Sequence, residues 1–300
     1  MRVFVTGASG WIGSAVVPEL LAAGHTVTGL ARSDAAAAAL TVAGAHVHRG
    51  SLDDLDALRS GAGDSDGVIH LAYRHDIAFS GDAAAAAASD LHAIEAIGAT
   101  LQQSNRPFIV ASGLAGLPVG QIATESDVAS PDGPGGQRAI TAATVLRLAD
   151  DGVRSAVVRL PPTVHGEGDP GFLPQIVQIA RGTGTSGYVN EGSNRWPAVH
   201  RADAAHLFRL ALEAAPAGTV LHGSDDTGVM IRDVAEVIGT HLNVPVRSIP
   251  TDNATEHFGW LSGLLGGDFP SSSTITRNLL GWQPTQPNLL EDLGQGHYFA

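Results

Sequence analysis

Three glycines at three-residue spacing, Gly7, Gly10 and Gly13, follow the apolar run Val3-Phe4-Val5. The chemistry such a triplet serves is the binding of a pyrophosphate. A glycine in a tight turn takes backbone angles that a Cβ forbids. A second lets phosphate oxygens approach the main chain, and a third lets the following helix pack close to the strand. The phosphates then meet free amide groups at the positive end of that helix. The positioning elements are legible on either side. Val3–Val5 suits a strand buried on both faces, and a helix is predicted from about Trp11 to Ala23, ended by Gly24. A second apolar strand, Thr26–Leu30, completes a βαβ unit. Thr6, Gly7, Ser9, Gly10, Trp11, Ile12 and Gly13 are the nucleotide-contacting set read from this stretch.

In such a unit the residue ending the second strand faces the adenosine ribose, where an acid accepts from a 2′-hydroxyl and repels a 2′-phosphate. Here the strand ends Leu30-Ala31-Arg32-Ser33, and the first acid is Asp34. Arg32 offers a fork to phosphate and Ser33 a further hydrogen bond, which predicts NADP(H) rather than NAD(H).

From Met1 to about Arg159 strands alternate with helices, the pattern of a doubly wound parallel sheet. Val27–Leu30, Val47–His48, Gly67–Leu71, Phe108–Ala111 and Ser155–Arg159 are the strands expected after the first. Alanine runs at 35–39 and 83–88 lie where crossover helices belong, and a long helix is predicted over roughly Asp82–Gln103. Gly, Pro, Ser and Asp dominate from Ser112 to Gln137, which reads as a long loop beside the site. Later helices are predicted at Ala202–Ala214, Val229–Leu242, about Asn253–Leu265 and Ser273–Leu280. The expected fold class is α/β: a Rossmann domain over 1–165 and a smaller C-terminal substrate-binding cap over 166–300. A segment at about 198–225 is expected to return to the core.

The spacing Thr6-Gly7-x-x-Gly10-x-x-Gly13 resembles that of the extended and atypical short-chain dehydrogenase/reductases, the NAD(P)-dependent epimerase/dehydratase-like family. So do Val68-Ile69-His70-Leu71-Ala72 (a fourth strand), Val158-Arg159-Leu160-Pro161 with Val164-His165-Gly166 (a sixth strand and its turn), and Arg195–His200 with Asp203. The resemblance implies that Ser51 and Leu52 contact adenine, that Leu71 and Ala72 line the way to the nicotinamide, and that Pro161 borders the cofactor. It implies that Ser112, at a strand end, binds the substrate carbonyl beside the cofactor. It places Asp90 near the family's asparagine, Arg138 at its lysine, where it would hydrogen-bond the nicotinamide ribose, and Pro134 at its tyrosine. Dimers through the long helices are common in folds of this kind.

The chain departs from the family at its proton donor. All 17 basic residues are arginine, so a lysine Schiff base, a P-loop lysine and the tyrosine–lysine pair are excluded. Hydride transfer to a ketone leaves an alkoxide that needs a proton or a well-placed dipole, whereas an imine arrives already protonated. The missing pair therefore points to a C=N substrate, or to another donor for C=O: Tyr73, His165, His200 or water. Tyr73, His75, Phe79, Phe172, Trp196 and His200 fall on segments expected near the crevice and suggest an aromatic pocket for an apolar or heteroaromatic substrate.

A net charge of −13 with no basic run argues against nucleic-acid binding. No apolar run has the length of a membrane span and the N-terminus reads as a strand, so a cytoplasmic protein without membrane attachment is expected. Cysteine is absent, and the histidines lack metal-ligand spacing, so no metal is expected. The leading expectation is an NADPH-dependent reductase of a small molecule. A nucleotide-sugar epimerase or dehydratase and a non-catalytic NADP(H) sensor are the rivals.

Overall fold

The computed structural model describes residues 1–78, 80–114, 116–132 and 136–300. Phe79 and Pro134, both singled out from the sequence, lie outside the described residues.

The first half alternates as the hydrophobic pattern dictates: β1 (Arg2–Thr6), α1 (Gly13–Ala22), β2 (Thr26–Ala31), α2 (Asp34–Val42), β3 (His46–Arg49), α3 (Leu55–Gly63) and β4 (Gly67–His70). A short α4 (His75–Ala78) and the long α5 (Ala83–Leu101) lead to β5 (Pro107–Gly113), α6 (Gly136–Arg147) and β6 (Arg154–Leu160). Alanine carries α2 and α5 because it loses no side-chain entropy, and Ser33 and Asp82 cap them by accepting from the amides of Ala36 and Ala85. Then come β7 (Thr163–His165), α7 (Phe172–Thr183), β8 (Ser186–Val189), β9 (Arg195–His200), α8 (Arg201–Ala214), β10 (Thr219–His222) and β11 (Asp226–Met230). The chain ends with α9 (Ile231–Leu242), β12 (Val246–Ile249), α10 (Thr251–Phe258), α11 (Ser262–Leu265), α12 (Thr274–Leu280) and α13 (Leu289–Gly294).

Seven strands form one parallel sheet in the order β10-β6-β5-β4-β1-β2-β3. This is a Rossmann-type doubly wound fold. On one face Val16, Val17 and Leu20 of α1, Leu40 of α2 and Leu207, Phe208 and Leu212 of α8 pack on the sheet. On the other, Leu58 of α3, Ile94, Ile97 and Leu101 of α5 and Val145 of α6 do so. Connections run outward in both directions from the β1/β4 junction, and a ligand crevice opens at the carboxyl ends of the strands there.

A smaller lobe has its own core, built from Leu173, Ile176 and Val177 of α7, Val234 and Ile238 of α9, Phe258, and Leu293 of α13. Two small sheets, β11-β9-β7 and β12-β8, border it. Trp282 pins the chain beyond α12 to the main core: it is fully buried, and its indole N–H donates to the Asp203 carbonyl at 3.0 Å. Among the described residues no helix is long and apolar enough to cross a membrane.

Two helical expectations need correction. Val229 and Met230 end β11, so the helix begins at Ile231. The expected run Asn253–Leu265 is broken, because Gly259 takes φ +59° and separates α10 from α11. Helix α7 was hidden among glycines and prolines, although Leu173, Ile176, Val177 and Ala180 keep helical spacing.

His222 closes the outer edge of the sheet. Its Nδ1 lies 2.9 Å from the Ser272 carbonyl and its Nε2 3.3 Å from Arg159, so Nδ1 carries the proton and Nε2 accepts from the guanidinium. Burial pushes the imidazole down to about 4. The unfolded chain therefore takes up a proton from about pH 6.5 downward that the folded chain refuses until about pH 4. Stability contributed by neutral His222 is complete above that window and is lost as pH falls through it. Urea midpoints at pH 7, 5.5 and 4.5 should fall steeply in the wild type and less steeply in His222→Gln. Parallel falls in both proteins would refute the assignment.

Candidate functional site

The crevice is a cavity of about 910 Å³, at the upper end of the roughly 300–1,000 Å³ usual for small-molecule sites. Its floor is the glycine turn. Gly7 takes φ +67°, and a Cβ there would lie 2.6 Å from the Ala72 amide nitrogen. A Cβ on Gly13 would collide with the Gly7 carbonyl, so the third glycine is what lets α1 sit directly on the turn. Gly10, Trp11, Ile12 and Gly13 border the cavity where the opening amides of α1 lack intrahelical acceptors. A backbone cradle that any side chain would fill fits a dinucleotide pyrophosphate.

To one side of the cradle lie Arg32, Ser33, Ser51 and Leu52, with Leu30, Ala36 and Gly50. Arg32 is exposed and 3.7 Å from Asp76, a loose surface pair that leaves the guanidinium available. Asp76 is engaged mainly by Arg74, whose hydrogen bonds hold its carboxyl below the ordinary range. The other side is lined by Leu71, Ala72, Tyr73, His75, Pro162, Val164, Asp169, Phe172 and Gln175. Tyr73 and His75 meet edge to face at 5.0 Å.

Behind this wall runs a chain of buried polar groups. The Asp90 carboxylate is 2% exposed. Its Oδ1 lies 3.1 Å from His70 Nε2, and its Oδ2 accepts from Arg138 Nη1 at 3.2 Å. A carboxylate accepts only, so His70 carries its proton on Nε2, and Nδ1 receives the hydroxyl proton of Thr6 at 2.9 Å. The Thr6 oxygen in turn accepts the Ala72 amide at 3.3 Å. Arg138 also donates to the Ala111 carbonyl at 2.9 Å and lies 4.3 Å above the Tyr73 ring. Burial pushes the Tyr73 phenol up, while the nearby Arg138 charge opposes that rise.

Several expected contacts are placed elsewhere. Thr6 is fully buried and faces His70, because at a strand end it points across to β4. Asp90 and Arg138 are structural partners behind the wall, and neither lines the crevice. Ser112 lines a second cavity of about 420 Å³ with Glu125, Arg159 and α6. Pro161 is buried, and Pro162 reaches the crevice instead. Trp196 is 1% exposed, in the core of the smaller lobe. His165 is fully buried, with Nδ1 2.9 Å from Asp292 Oδ2, and its ring lies 5.4 Å from that of His200; neither histidine is in the lining. Sequence reasoning missed His70, Asp169 and Tyr298. His70 had a local signal as the polar end of an apolar strand. Asp169 sat in a turn with no periodicity to mark it.

The profile of the NAD dependent epimerase/dehydratase family matches residues 3–222. The chain belongs to this family. An uncharacterized protein of Schizosaccharomyces pombe is 46% identical over 301 residues, covering 100% of both chains. A 4-hydroxy-2-methyl-3-oxo-4-farnesyl-3,4-dihydroquinoline-1-oxide ketoreductase of Stigmatella aurantiaca is 29% identical over 238 residues, 77% of this chain and 70% of that protein. Among solved structures, the UDP-glucose 4-epimerase of Thermotoga maritima with UDP-glucose superposes with a TM-score of 0.79 at 20% identity. The match covers 100% of this chain and 98% of that one, and the likeness is one of fold.

Two substitutions test this geometry. Gly13→Ala should weaken binding of reduced nicotinamide dinucleotide, NADH or NADPH, at least tenfold, read by nucleotide fluorescence, while the far-ultraviolet spectrum of the protein is kept; wild-type affinity in this variant would discount the cradle. Asp90→Ala, which strands the half-buried Arg138 and the buried His70, should cost about 3–5 kcal/mol in urea unfolding. A loss below about 1 kcal/mol would show that the buried chain is not structural.

Proposed function

We propose that the protein is an NADPH-dependent reductase passing hydride to a C=O or C=N carbon of a small apolar or aromatic molecule. The observation that carries this reading is the single crevice in which the glycine cradle joins Arg32 and Ser33 on one side to an aromatic wall of Tyr73 and Phe172 on the other. Arg32 and Ser33 would hold the 2′-phosphate, the turn and the first amides of α1 the pyrophosphate, and Leu71, Ala72 and Val164 the nicotinamide. When bound, NADPH supplies the hydride and leaves as NADP⁺.

The absence of lysine weighs against sugar-nucleotide epimerase or dehydratase chemistry, which would need a base to oxidise a sugar hydroxyl. The ketoreductase relative supports reduction of a carbonyl. A wall of Tyr73, Phe172 and Val164 suits an apolar substrate better than a sugar nucleotide.

The test is NADPH oxidation followed at 340 nm, a wavelength set by the nicotinamide, against panels of aldehydes, ketones and cyclic imines with an NADH control. Turnover with NADPH preferred supports the reading. Arg32→Ala should raise KM for NADPH roughly 10–100-fold, the loss of a charged hydrogen bond, and leave the NADH reaction unchanged. Binding of NADPH without turnover of any panel would favour a redox sensor, and equal use of both cofactors would remove the phosphate role of Arg32.

A further inference from the structure

The reductase reading leaves its proton donor unassigned, because neither Tyr73 nor His165 has both access and a relay. A different carboxyl has both. Asp169, in the turn between β7 and α7, lines the crevice beside Val164 and Phe172. Its Oδ1 accepts the Gly171 amide at 2.6 Å, and its Oδ2 accepts the Tyr298 hydroxyl at 3.1 Å. The same hydroxyl receives the Gly166 amide at 3.1 Å and has the Gly166 carbonyl within 3.3 Å. Tyr298 therefore has two acceptors for its one proton.

We propose that Asp169 is the acid that protonates the substrate oxygen, and that Tyr298 is its positioning residue. This rests on the reductase reading and narrows it to aldehydes and ketones. As hydride reaches the carbonyl carbon, the π pair moves to oxygen. The O–H bond at Asp169 Oδ2 breaks, an alcohol O–H forms, and the carboxylate left behind takes a proton from water. The Gly171 amide keeps Oδ1 an acceptor, so the proton resides on Oδ2. Tyr298 donates to Oδ2 when Asp169 is ionised and turns to the Gly166 carbonyl when it is protonated. The phenol keeps its own proton throughout, since burial, and next to it the Asp169 charge, push it far above its ordinary value.

The surroundings suit this role. Burial raises the Asp169 carboxyl above the ordinary carboxylate range, and the Gly171 and Tyr298 hydrogen bonds restrain that rise. The titratable groups around it are His165 at the end of β7, Asp292 of α13, Tyr298 and His297 from the C-terminal turn, and Glu167 on its own turn. His165 lowers the Asp169 carboxyl and Asp292 raises it.

The acid form exists below the folded pKa, so activity with a ketone should be lost as pH rises through it. Asp169→Asn keeps the size and the Gly171 hydrogen bond, and should lower kcat with aldehydes and ketones about 10²–10⁴-fold, remove that basic limb, and spare preformed iminium substrates and NADPH binding. Tyr298→Phe removes a donor to the carboxylate. It should move the basic limb to higher pH, and a residue serving only packing would not move it.

A second readout needs no turnover. With ¹³C-labelled aspartate, the signal missing from Asp169→Asn identifies the carboxyl, whose midpoint should lie above the ordinary range and rise further in Tyr298→Phe. An ordinary midpoint, or aldehyde turnover within twofold of wild type in Asp169→Asn, overturns the assignment and leaves the reductase reading standing. A wild type that oxidises no NADPH with any substrate removes the reductase reading and the assignment together.

Discussion

A carboxylate sealed from water must be met on both oxygens, and Asp90 is met by His70 on one and Arg138 on the other. That requirement fastens together parts of the chain that no hydrophobic contact would align to hydrogen-bonding accuracy. His70 ends β4, Thr6 ends β1, Arg138 comes from α6, and Asp90 stands in the middle of α5. The strand ends on which the crevice is built are thus held in register by directional bonds. The glycine turn begins one residue after Thr6, and the Ala72 amide that bonds Thr6 is the group against which Gly7 is closed. A shift in this chain would move both the cradle and the Tyr73 wall.

Arg138 has a structural role that a lysine could not fill. A lysine ammonium is one compact charge, whereas the guanidinium of Arg138 reaches Asp90 and the Ala111 carbonyl through separate nitrogens while its flat face lies over Tyr73. So used, it is committed to holding the wall, and its charge only partly offsets the burial that raises the Tyr73 phenol. In the proposed reaction the acid, Asp169, stands across the crevice on a turn that Tyr298 completes.

Six of the seven sheet strands, with boundaries to within a residue or two, and the glycine cradle were legible because each depends on local sequence: apolar runs, alanine helices and turn glycines; the edge strand β10 was not predicted as a strand. The polar residues were harder to read. At the end of a strand, Thr6 had equal reason to face a ligand or a neighbouring strand, and only the pairing of β1 with β4 decides it. Trp196 stands between Arg195 and Pro197, and nothing local says that its side of β9 meets the smaller lobe's core. Asp169 and Tyr298 are separated by 129 residues, so no spacing or motif relates them. Local pattern specifies backbone elements, and long-range closure specifies which side chains meet.

The order of strands has a kinetic consequence. β6 pairs with β5 on one edge, but its other edge is covered by β10, which follows β7, α7, β8, β9 and α8 in the chain. During synthesis that edge stays open, with unpaired backbone groups able to template a wrong partner, until the chain has passed His222. Contacts of such long sequence separation are slow to form, because loop-closure entropy is spent before pairing returns anything. The β6–β10 edge is therefore the late-folding seam of the molecule and the place where a nascent chain is most exposed to misassociation.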